Sequence, residues 1–292
     1  MSLTKQTVSS LALVATILSI TPLSASAQAD MVPTNNLPNP YRSIEGWPQM
    51  PSGMSFGSSS AVDIDIDGVS VWVAERCGGN VGACTQNPDR DPVMKFDPDG
   101  NMLISFGAGM INWPHGIDVD PEGNIWVADG RDNAAPTRRG EPPTPRNDDV
   151  YGHQVIKFSP TGQVLMVLGN RGGVPPGEMA EAGPRGDFFW QPNDVYVAGN
   201  GDIYVGTGHG QGRNRIIKFN SRGEYLFEWG RTGDGLGEFN QPHSLAMDSQ
   251  GRLFVADRGN NRIQIFDSNG RFIDEWYQFS RLSGIYIDAN DV

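Results

Sequence analysis

The chain has 292 residues, a formal net charge of −12 at pH 7 and 38% hydrophobic residues. That composition is ordinary for a globular protein and excludes disorder for most of the chain. A sequence pI near 4.7 argues against a nucleic-acid partner, because such a protein has no basic surface to neutralise phosphates.

The first 27 residues have the pattern of a secretory signal peptide. Lys5 precedes an apolar run over residues 11–20, and Ser24-Ala25-Ser26-Ala27 supplies small residues for cleavage. A retained membrane anchor is the alternative, but the run is shorter than the roughly 20 apolar residues that span a bilayer. We therefore predict cleavage after Ala27, a secreted or periplasmic protein with no membrane span after cleavage, and an N-terminal extension over 28–57.

Cys77 and Cys84 are the two cysteines of the chain, seven residues apart in a stretch rich in Gly and Asn. In an oxidising compartment this spacing favours a disulfide bond that closes a loop. A metal-binding pair is the alternative, but it would lack partner cysteines. The predicted disulfide would fix a loop rather than the fold.

From residue 58 onward the chain repeats one pattern of paired short strands. Apolar and polar residues alternate, a turn ends in Gly, and a second short run follows, which together indicate a β-hairpin. The first hairpin of the repeat recurs at 61–75, 114–129, 192–207 and 242–257, and the second at 93–106, 154–168, 215–229 and 262–276. Two hairpins make a four-stranded antiparallel unit, and units of roughly 40–50 residues are typical of propeller blades.

We therefore predict an all-β fold, a β-propeller over residues 58–292 with surface loops at 131–150 and 170–187. A fifth repeat begins at Leu282 and stops after one strand, whereas a propeller closes its ring. We interpret the sequence as truncated at its C-terminus. A four- or five-bladed ring closed by residues 44–60 is the alternative.

One position of the repeat, at the entrance of each innermost strand, should encircle the axial channel. Its residues are Ala61, His115, Asn193, His243 and Ser283. Two imidazoles at equivalent positions can converge on one ion, and zinc prefers histidine nitrogen. A catalytic zinc needs about three protein ligands, and the third could be His209 or a residue beyond Val292. A purely structural role, with each ring bonded to nearby carbonyls, is an equal alternative.

Other polar residues have structural interpretations. Acidic residues recur at the end of the second strand (Glu75, Asp129 and Asp257), and we expect them to cap backbone amides of the next loop. We expect His153 to be a packing or capping residue. Arg76 could hold a carboxylate bidentately or form a surface ion pair with Glu75 or Asp89.

The repeats resemble those of the NHL family. The signature is carried by Asp257-Arg258-Gly259-Asn260-Asn261-Arg262-Ile263-Gln264-Ile265-Phe266. Within that family the chain is most similar to the peptidyl-α-hydroxyglycine α-amidating lyases. That likeness rests on Pro114-His115-Gly116, Pro242-His243-Ser244-Leu245-Ala246 and Val73-Ala74-Glu75-Arg76.

The resemblance implies a six-bladed propeller that holds zinc through three histidines, carries a structural calcium and uses a tyrosine and an arginine on the substrate. Such an enzyme cleaves the C–N bond of a C-terminal α-hydroxyglycine into an amide and glyoxylate. His115 and His243 match two zinc ligands and Arg76 matches the arginine. The family's third histidine would lie beyond Val292. His209 stands where the tyrosine is expected, so it becomes the candidate catalytic base.

Three functional hypotheses follow. The first is an exported, zinc-dependent lyase acting on a peptide C-terminus or another small molecule. The second is a non-catalytic propeller that binds a protein or glycan, with His115 and His243 vestigial or structural. The third, a lactonase-type hydrolase, would want acidic metal ligands at the channel.

Overall fold

Four antiparallel sheets of four strands each make up the described part of the chain, which is residues 42–133, 150–173, 189–209 and 213–292 of a computed structural model. The signal peptide predicted over 1–27 and most of both predicted surface loops lie outside these residues. In every sheet the strands follow chain order from the innermost to the outermost. This arrangement confirms the predicted all-β fold of four-stranded blades.

The strands of the four blades have these bounds: β1 (Ser59–Ile64), β2 (Val71–Glu75), β3 (Val93–Phe96) and β4 (Met102–Phe106); β5 (Pro114–Val119), β6 (Ile125–Asp129), β7 (Gln154–Phe158) and β8 (Val164–Leu168); β9 (Pro192–Val197), β10 (Ile203–Thr207), β11 (Arg215–Phe219) and β12 (Tyr225–Trp229); β13 (Pro242–Met247), β14 (Leu253–Asp257), β15 (Arg262–Phe266) and β16 (Phe272–Trp276). A one-turn helix α1 (Ala83–Gln86) and a 3₁₀ helix (Arg258–Asn260) complete the elements.

The turn between β5 and β6 explains how the short hairpins form. Gly123 has a φ of 83° and donates its N–H to the Asp120 carbonyl at 2.8 Å. A β-branched residue would be strained at that φ, whereas glycine is not. The Asp120 carboxylate accepts the Asn124 N–H at 2.8 Å and the indole N–H of Trp126 at 3.0 Å. The turn thus ties itself to the following strand.

Apolar layers between neighbouring blades form the core. Between the first and second blades the rings of Trp72 and Phe106 lie 5.6 Å apart, and those of Phe106 and Phe158 lie 5.1 Å apart. Similar layers lie between the second and third blades and between the third and fourth. Aromatic residues of the strands therefore pack between blades rather than form a cofactor pocket.

Buried or partly buried carboxyl groups tie the four innermost strands together, each to the next along the chain. Their contacts are Asp63 with the Val119 N–H at 2.7 Å, Asp118 with the Val197 N–H at 3.0 Å, and Asp194 with the Leu245 N–H at 2.9 Å. Burial raises the pKa of all three groups, that of Asp194 to about 7. The carboxyl groups hold the innermost strands side by side around the axis.

The register of β1 corrects one prediction. Ser59 pairs with Glu75, the last residue of β2, just as Pro114 pairs with the last residue of β6. The register then shifts in both hairpins. Ser60, and not Ala61, therefore occupies the position of His115. The turn between β1 and β2 covers residues 65–70 and is one residue longer than the turn between β5 and β6, residues 120–124, and this extra residue hides the correct match from an alignment of the repeats.

Residues 42–58 pack on the first blade and contribute no strand to the described part of the chain. Their apolar side chains are Trp47, Met50, Met54 and Phe56. These cover Val73, Met94 and Phe96, which lie on the face of the blade turned away from the second blade. The segment that could have closed a smaller ring thus covers one face of the first blade.

The predicted disulfide is confirmed. Cys77 and Cys84 are bonded and buried, with their Cα atoms 4.9 Å apart, in the loop between β2 and β3. The bond closes this loop directly after Arg76. Among the described residues, none of the helices has the length and apolar character needed to cross a bilayer.

Candidate metal centre

Three histidines from three blades meet at one end of the innermost strands. The ring centroids lie 4.5 Å apart for His115 and His243, 4.8 Å for His115 and His209, and 5.4 Å for His209 and His243. One nitrogen of each ring lies within 4.8 Å of the others, close enough for one metal ion. The repeat brings His115 and His243 together, and His209 joins them as the third histidine.

Strand position and one glycine determine this convergence. His115 and His243 are each the second residue of an innermost strand, β5 and β13. His209 follows β10 by two residues, after Gly208. Gly208 has a φ of 116°, and a Cβ there would collide with the Asn214 side chain. Only glycine allows the chain to turn His209 toward the axis.

Backbone carbonyls orient two of the rings. Nδ1 of His115 lies 2.7 Å from the carbonyl of Asn193, and Nδ1 of His243 lies 2.9 Å from that of Ser283. A carbonyl can only accept, so each Nδ1 carries the proton and each Nε2 keeps its lone pair. This is the arrangement in which a histidine binds a metal through Nε2. Asn193 and Ser283 occupy the same repeat position as His115 and His243, each in the next repeat along the chain.

Burial and neighbouring cations keep all three imidazoles neutral at pH 7. Burial lowers the pKa of His115 well below 6.5, and His243 and His209 lower it further. Burial and the Arg258 guanidinium lower the pKa of both His209 and His243 to about 4. The centre therefore presents neutral nitrogen donors and no competing protons.

Arg76 lies beside this centre on the face of a tryptophan. Its guanidinium carbon is 3.9 Å from the Trp113 ring centroid, and that ring lies 5.0 Å from His115 and 5.1 Å from His209. Arg76 donates from Nε to the Pro114 carbonyl at 3.2 Å and from Nη1 to the Asn80 side chain at 2.7 Å. These contacts fix a cation at the edge of the site.

The charge state of Arg76 follows from its surroundings. Burial and the nearby Arg131 lower its pKa to about 10, so it remains cationic at pH 7. Of its two expected ion-pair partners, Glu75 instead lies 3.4 Å from Arg90 and accepts the N–H of Gly57 at 2.6 Å. The cation at the site therefore faces neutral acceptors.

The recurring carboxylates are structural, as predicted, and each also caps the loop that leads into its own blade. Asp129 accepts the N–H of Trp113 at 2.7 Å and that of Asn112 at 3.0 Å, and Asp257 accepts the N–H of Asn240 at 2.7 Å. These amides belong to the loop that leads into the first strand of the same blade. The predicted capping of the following loop is also present, since Glu75 accepts the N–H of Gly78 at 2.7 Å and Asp129 accepts a backbone N–H from Arg131. Asp257 contacts its following loop through the Asn260 side chain at 2.8 Å.

Sequence reasoning missed Trp113 and the two carbonyls that orient the rings. Trp113 precedes Pro114 as Gln191 precedes Pro192, so the repeat marks the position but not its role. Any residue type supplies a carbonyl, so the sequence placed Asn193 and Ser283 around the channel without showing that their carbonyls orient the rings.

A cavity of about 820 Å³ follows the innermost strands from the histidines. His115 and His243 form part of its wall, together with Asp63, Asp194 and Tyr196. The cavity gives a small ligand or a peptide end room to lie next to the centre.

Comparisons with known proteins agree with the repeat analysis. The NHL repeat model matches residues 112–134 and 239–266. The chain is 32% identical over 224 residues to NHL repeat-containing protein 3 of Homo sapiens, covering 75% of this chain and 54% of that protein. It is 28% identical over 249 residues to peptidyl-alpha-hydroxyglycine alpha-amidating lyase 1 of Drosophila melanogaster, covering 77% of this chain and 40% of that one. The chain thus spans about half of these curated relatives, or less.

Among solved structures, a gluconolactonase from Xanthomonas campestris matches with a TM-score of 0.52 and 19% identity, over 78% of this chain and 64% of that one. A streptogramin B lyase matches with a TM-score of 0.50 and 15% identity, over 82% and 58%. At such identities the likeness shows the propeller fold alone. The chain therefore carries NHL repeats, at residues 112–134 and 239–266, on a β-propeller fold, and it is similar to the peptidyl-α-hydroxyglycine α-amidating lyases.

Proposed function

We propose that this protein is an exported, metal-dependent lyase that cleaves peptidyl-α-hydroxyglycine, or a similar carbinolamide, into an amide and glyoxylate. The observation that carries the proposal is the meeting of His115, His209 and His243 beside the cation of Arg76. Export is supported by the Cys77–Cys84 disulfide, since such bonds persist in oxidising compartments.

The donor set fits zinc. Three neutral imidazoles are the ligands of several catalytic zinc sites, which leave a fourth position open. The fit rests on the two Nδ1–carbonyl contacts, which leave Nε2 of His115 and His243 free to bind. When bound, the metal would polarise the α-hydroxyl of the substrate and make it more acidic. In this arrangement His209 serves as the third ligand rather than as the base that its place in the sequence suggested.

Arg76 is assigned to the substrate carboxylate. It is held on Trp113 at the edge of the centre, and its hydrogen bonds within the described residues go to neutral acceptors. A guanidinium can pair with a carboxylate through two parallel N–H donors. Arg131 and Arg258 add positive charge around the histidines, which favours an anionic ligand.

The proton balance of the reaction is simple. The hydroxyl loses its proton, its carbon–oxygen bond becomes the aldehyde of glyoxylate, the C–N bond breaks, and the leaving nitrogen takes one proton. Oxygen and nitrogen are attached to the same carbon, so one water molecule can carry the proton between them. No side chain besides Arg76 and the histidines is then required.

Metal content and glyoxylate release test the proposal together. The full chain is purified, its zinc is measured, and it is incubated with N-benzoyl-α-hydroxyglycine. We expect about one zinc per chain and glyoxylate release that a chelator abolishes and zinc restores. The double variant His115→Ala/His243→Ala should lose both, while Arg76→Gln should keep zinc and raise KM, on the order of tenfold.

Two results would reject the lyase. One is zinc retained in full by the double variant. The other is zinc bound at the histidines without glyoxylate release from this substrate. A folded protein that binds no metal would favour the alternative, a scaffold for a protein or glycan partner.

The remaining alternatives have less support. A lactonase-type site would want carboxylate ligands, but Asp63, Asp118 and Asp194 in the channel accept backbone amides of the next blade. Among the described residues, the three histidines form the group of metal-ligating side chains that lie close enough to share an ion. We assign no residues to a structural calcium.

A further inference from the structure

His153 joins the second blade to the third through Trp190 and Gln191. It immediately precedes β7, is 2% exposed, and lies with its ring against Trp190 at a centroid distance of 4.3 Å. Its Nδ1 accepts the N–H of Gln191 at 3.0 Å, and its Nε2 lies 3.5 Å from the Asp132 carboxylate. The prediction of a packing or capping residue is confirmed, since the ring does both.

Gln191 passes this contact on to the candidate ligand. Its carbonyl accepts the N–H of Gly208 at 3.0 Å and the N–H of His209 at 3.5 Å. Gln191 has a φ of 55°, an uncommon value for a residue other than glycine, so its conformation depends on the groups that hold it. Gln191 is thus fixed at its N–H by His153. Its own carbonyl in turn fixes the turn that carries His209.

The fourth blade repeats this arrangement with another side chain. Asn214 immediately precedes β11, as His153 precedes β7, and its Oδ1 accepts the N–H of Gln241 at 3.2 Å. Gln241 has a φ of 58°, and its carbonyl accepts the N–H of Arg258 at 3.3 Å. An acceptor before the third strand of one blade thus orients the residue that follows the second strand of the next. Asparagine supplies this acceptor as well as histidine does.

The second blade shows what His153 replaces. There the N–H of Trp113, at the position of Gln191, is bound by the carboxylate of Asp129 from the same blade. In the third blade that carboxylate is replaced by Thr207, whose hydroxyl donates to the Arg213 carbonyl. The Gln191 N–H is bound instead by His153 of the preceding blade. In the fourth blade Asp257 is present but bonds the N–H of Asn240, and the N–H of Gln241 goes to Asn214.

We propose that His153 is a positioning residue for the metal centre: through Gln191 it fixes the turn that aims His209 at His115 and His243. The inference rests on the proposed function in one respect, that His209 is the third metal ligand. His153 acts through its acceptor nitrogen and not as a ligand. Partners bonded directly to a metal ligand typically change metal affinity by about 10–100-fold. His153 acts one residue further out, so its effect should lie at the lower end of that range.

Two substitutions separate this role from packing. His153→Phe keeps an aromatic ring against Trp190 but removes the acceptor, whereas His153→Asn keeps an acceptor, as in Asn214, but removes the ring. Affinity of the full chain for Co²⁺ is measured by chelator competition, and the visible absorption of bound Co²⁺ reports the ligand geometry. Ile217→Ala, a buried change in β11 within the same inter-blade core, controls for lost stability.

We expect His153→Phe to bind Co²⁺ more weakly, on the order of tenfold, with an altered spectrum, and His153→Asn to retain affinity and spectrum close to those of the wild type. The control should lose stability without a change in affinity. Affinity that is kept by His153→Phe and lost by His153→Asn would overturn the proposal, because it would assign His153 to packing.

Hydrogen exchange separates this inference from the proposed function. If the wild type binds no Co²⁺, the third-ligand assignment fails, but the positioning contact is still measurable in the metal-free protein. The amides of Gly208 and His209 should then exchange faster in His153→Phe than in His153→Asn. Equal exchange in the two variants would reject the positioning role itself.

Discussion

Histidines and carboxyl groups lie on the same innermost strands, wholly or partly buried, and burial drives both sets toward their neutral forms. The pKa of His115 is lowered well below its ordinary value and that of Asp118 is raised well above it, in both cases chiefly by desolvation. The two sets differ in what their polar atoms bind. Asp118 uses an oxygen on a backbone N–H of the next blade, whereas His115 uses only Nδ1 and keeps Nε2.

This difference separates a structural set from a ligand-binding set. The carboxyl groups of Asp63, Asp118 and Asp194 close hydrogen bonds that the fold itself needs. The imidazoles of His115 and His243 have one nitrogen each to offer a ligand, while a backbone carbonyl fixes the other. Burial alone therefore does not show which set binds a ligand. The hydrogen-bond partners of each group do.

The largest effect expected from this comparison is on metal affinity. His115→Gln keeps a donor for the Asn193 carbonyl but removes the imidazole nitrogen. We expect zinc affinity to fall by more than the roughly 10–100-fold that loss of an outer partner costs, with little change in thermal stability. Chelator competition and a thermal melt of the metal-free protein measure the two quantities. A variant that binds zinc as tightly as the wild type would remove His115 from the ligand set.

A substitution among the carboxyl groups should lower the stability of the fold and leave metal affinity unchanged. Asp118→Ala leaves the Val197 N–H without its acceptor between two innermost strands. An unsatisfied buried donor costs about 1–3 kcal/mol, so we expect the free energy of unfolding to fall by that amount. Zinc affinity of the folded fraction should be unchanged. Urea denaturation gives the first value, and an unaltered midpoint would show that the carboxyl group does not support the fold.

Part of this molecule could be predicted from residue pattern and spacing alone. The blades, the pairing of Cys77 with Cys84 and the common position of His115 and His243 all follow from residue pattern and spacing. The place of His209 does not, because it lies after a strand, where the repeat is interrupted and a glycine with positive φ turns the chain. The carbonyl partners of the rings were also out of reach, since any residue type supplies a carbonyl.

The smallest expected effect is on how stability depends on pH. The contributions of the histidines and of the carboxyl groups should change with pH in opposite directions. Burial lowers the pKa of His243 to about 4, so as pH falls from 6.5 to 4 the unfolded state of the metal-free protein takes up a proton that the folded state does not, and stability is lost. The raised pKa of Asp194, about 7, acts in reverse: its contribution weakens as pH rises from 3.8 to 7. Comparing the wild type with His243→Ala by urea denaturation across this range isolates the histidine. We expect the wild type to lose stability relative to the variant on acidification below pH 6.5, by on the order of 1 kcal/mol, and the difference to be constant above pH 7. A constant difference over the whole range would mean that His243 is not desolvated, and the contrast between imidazoles and carboxyl groups would then fail at this residue.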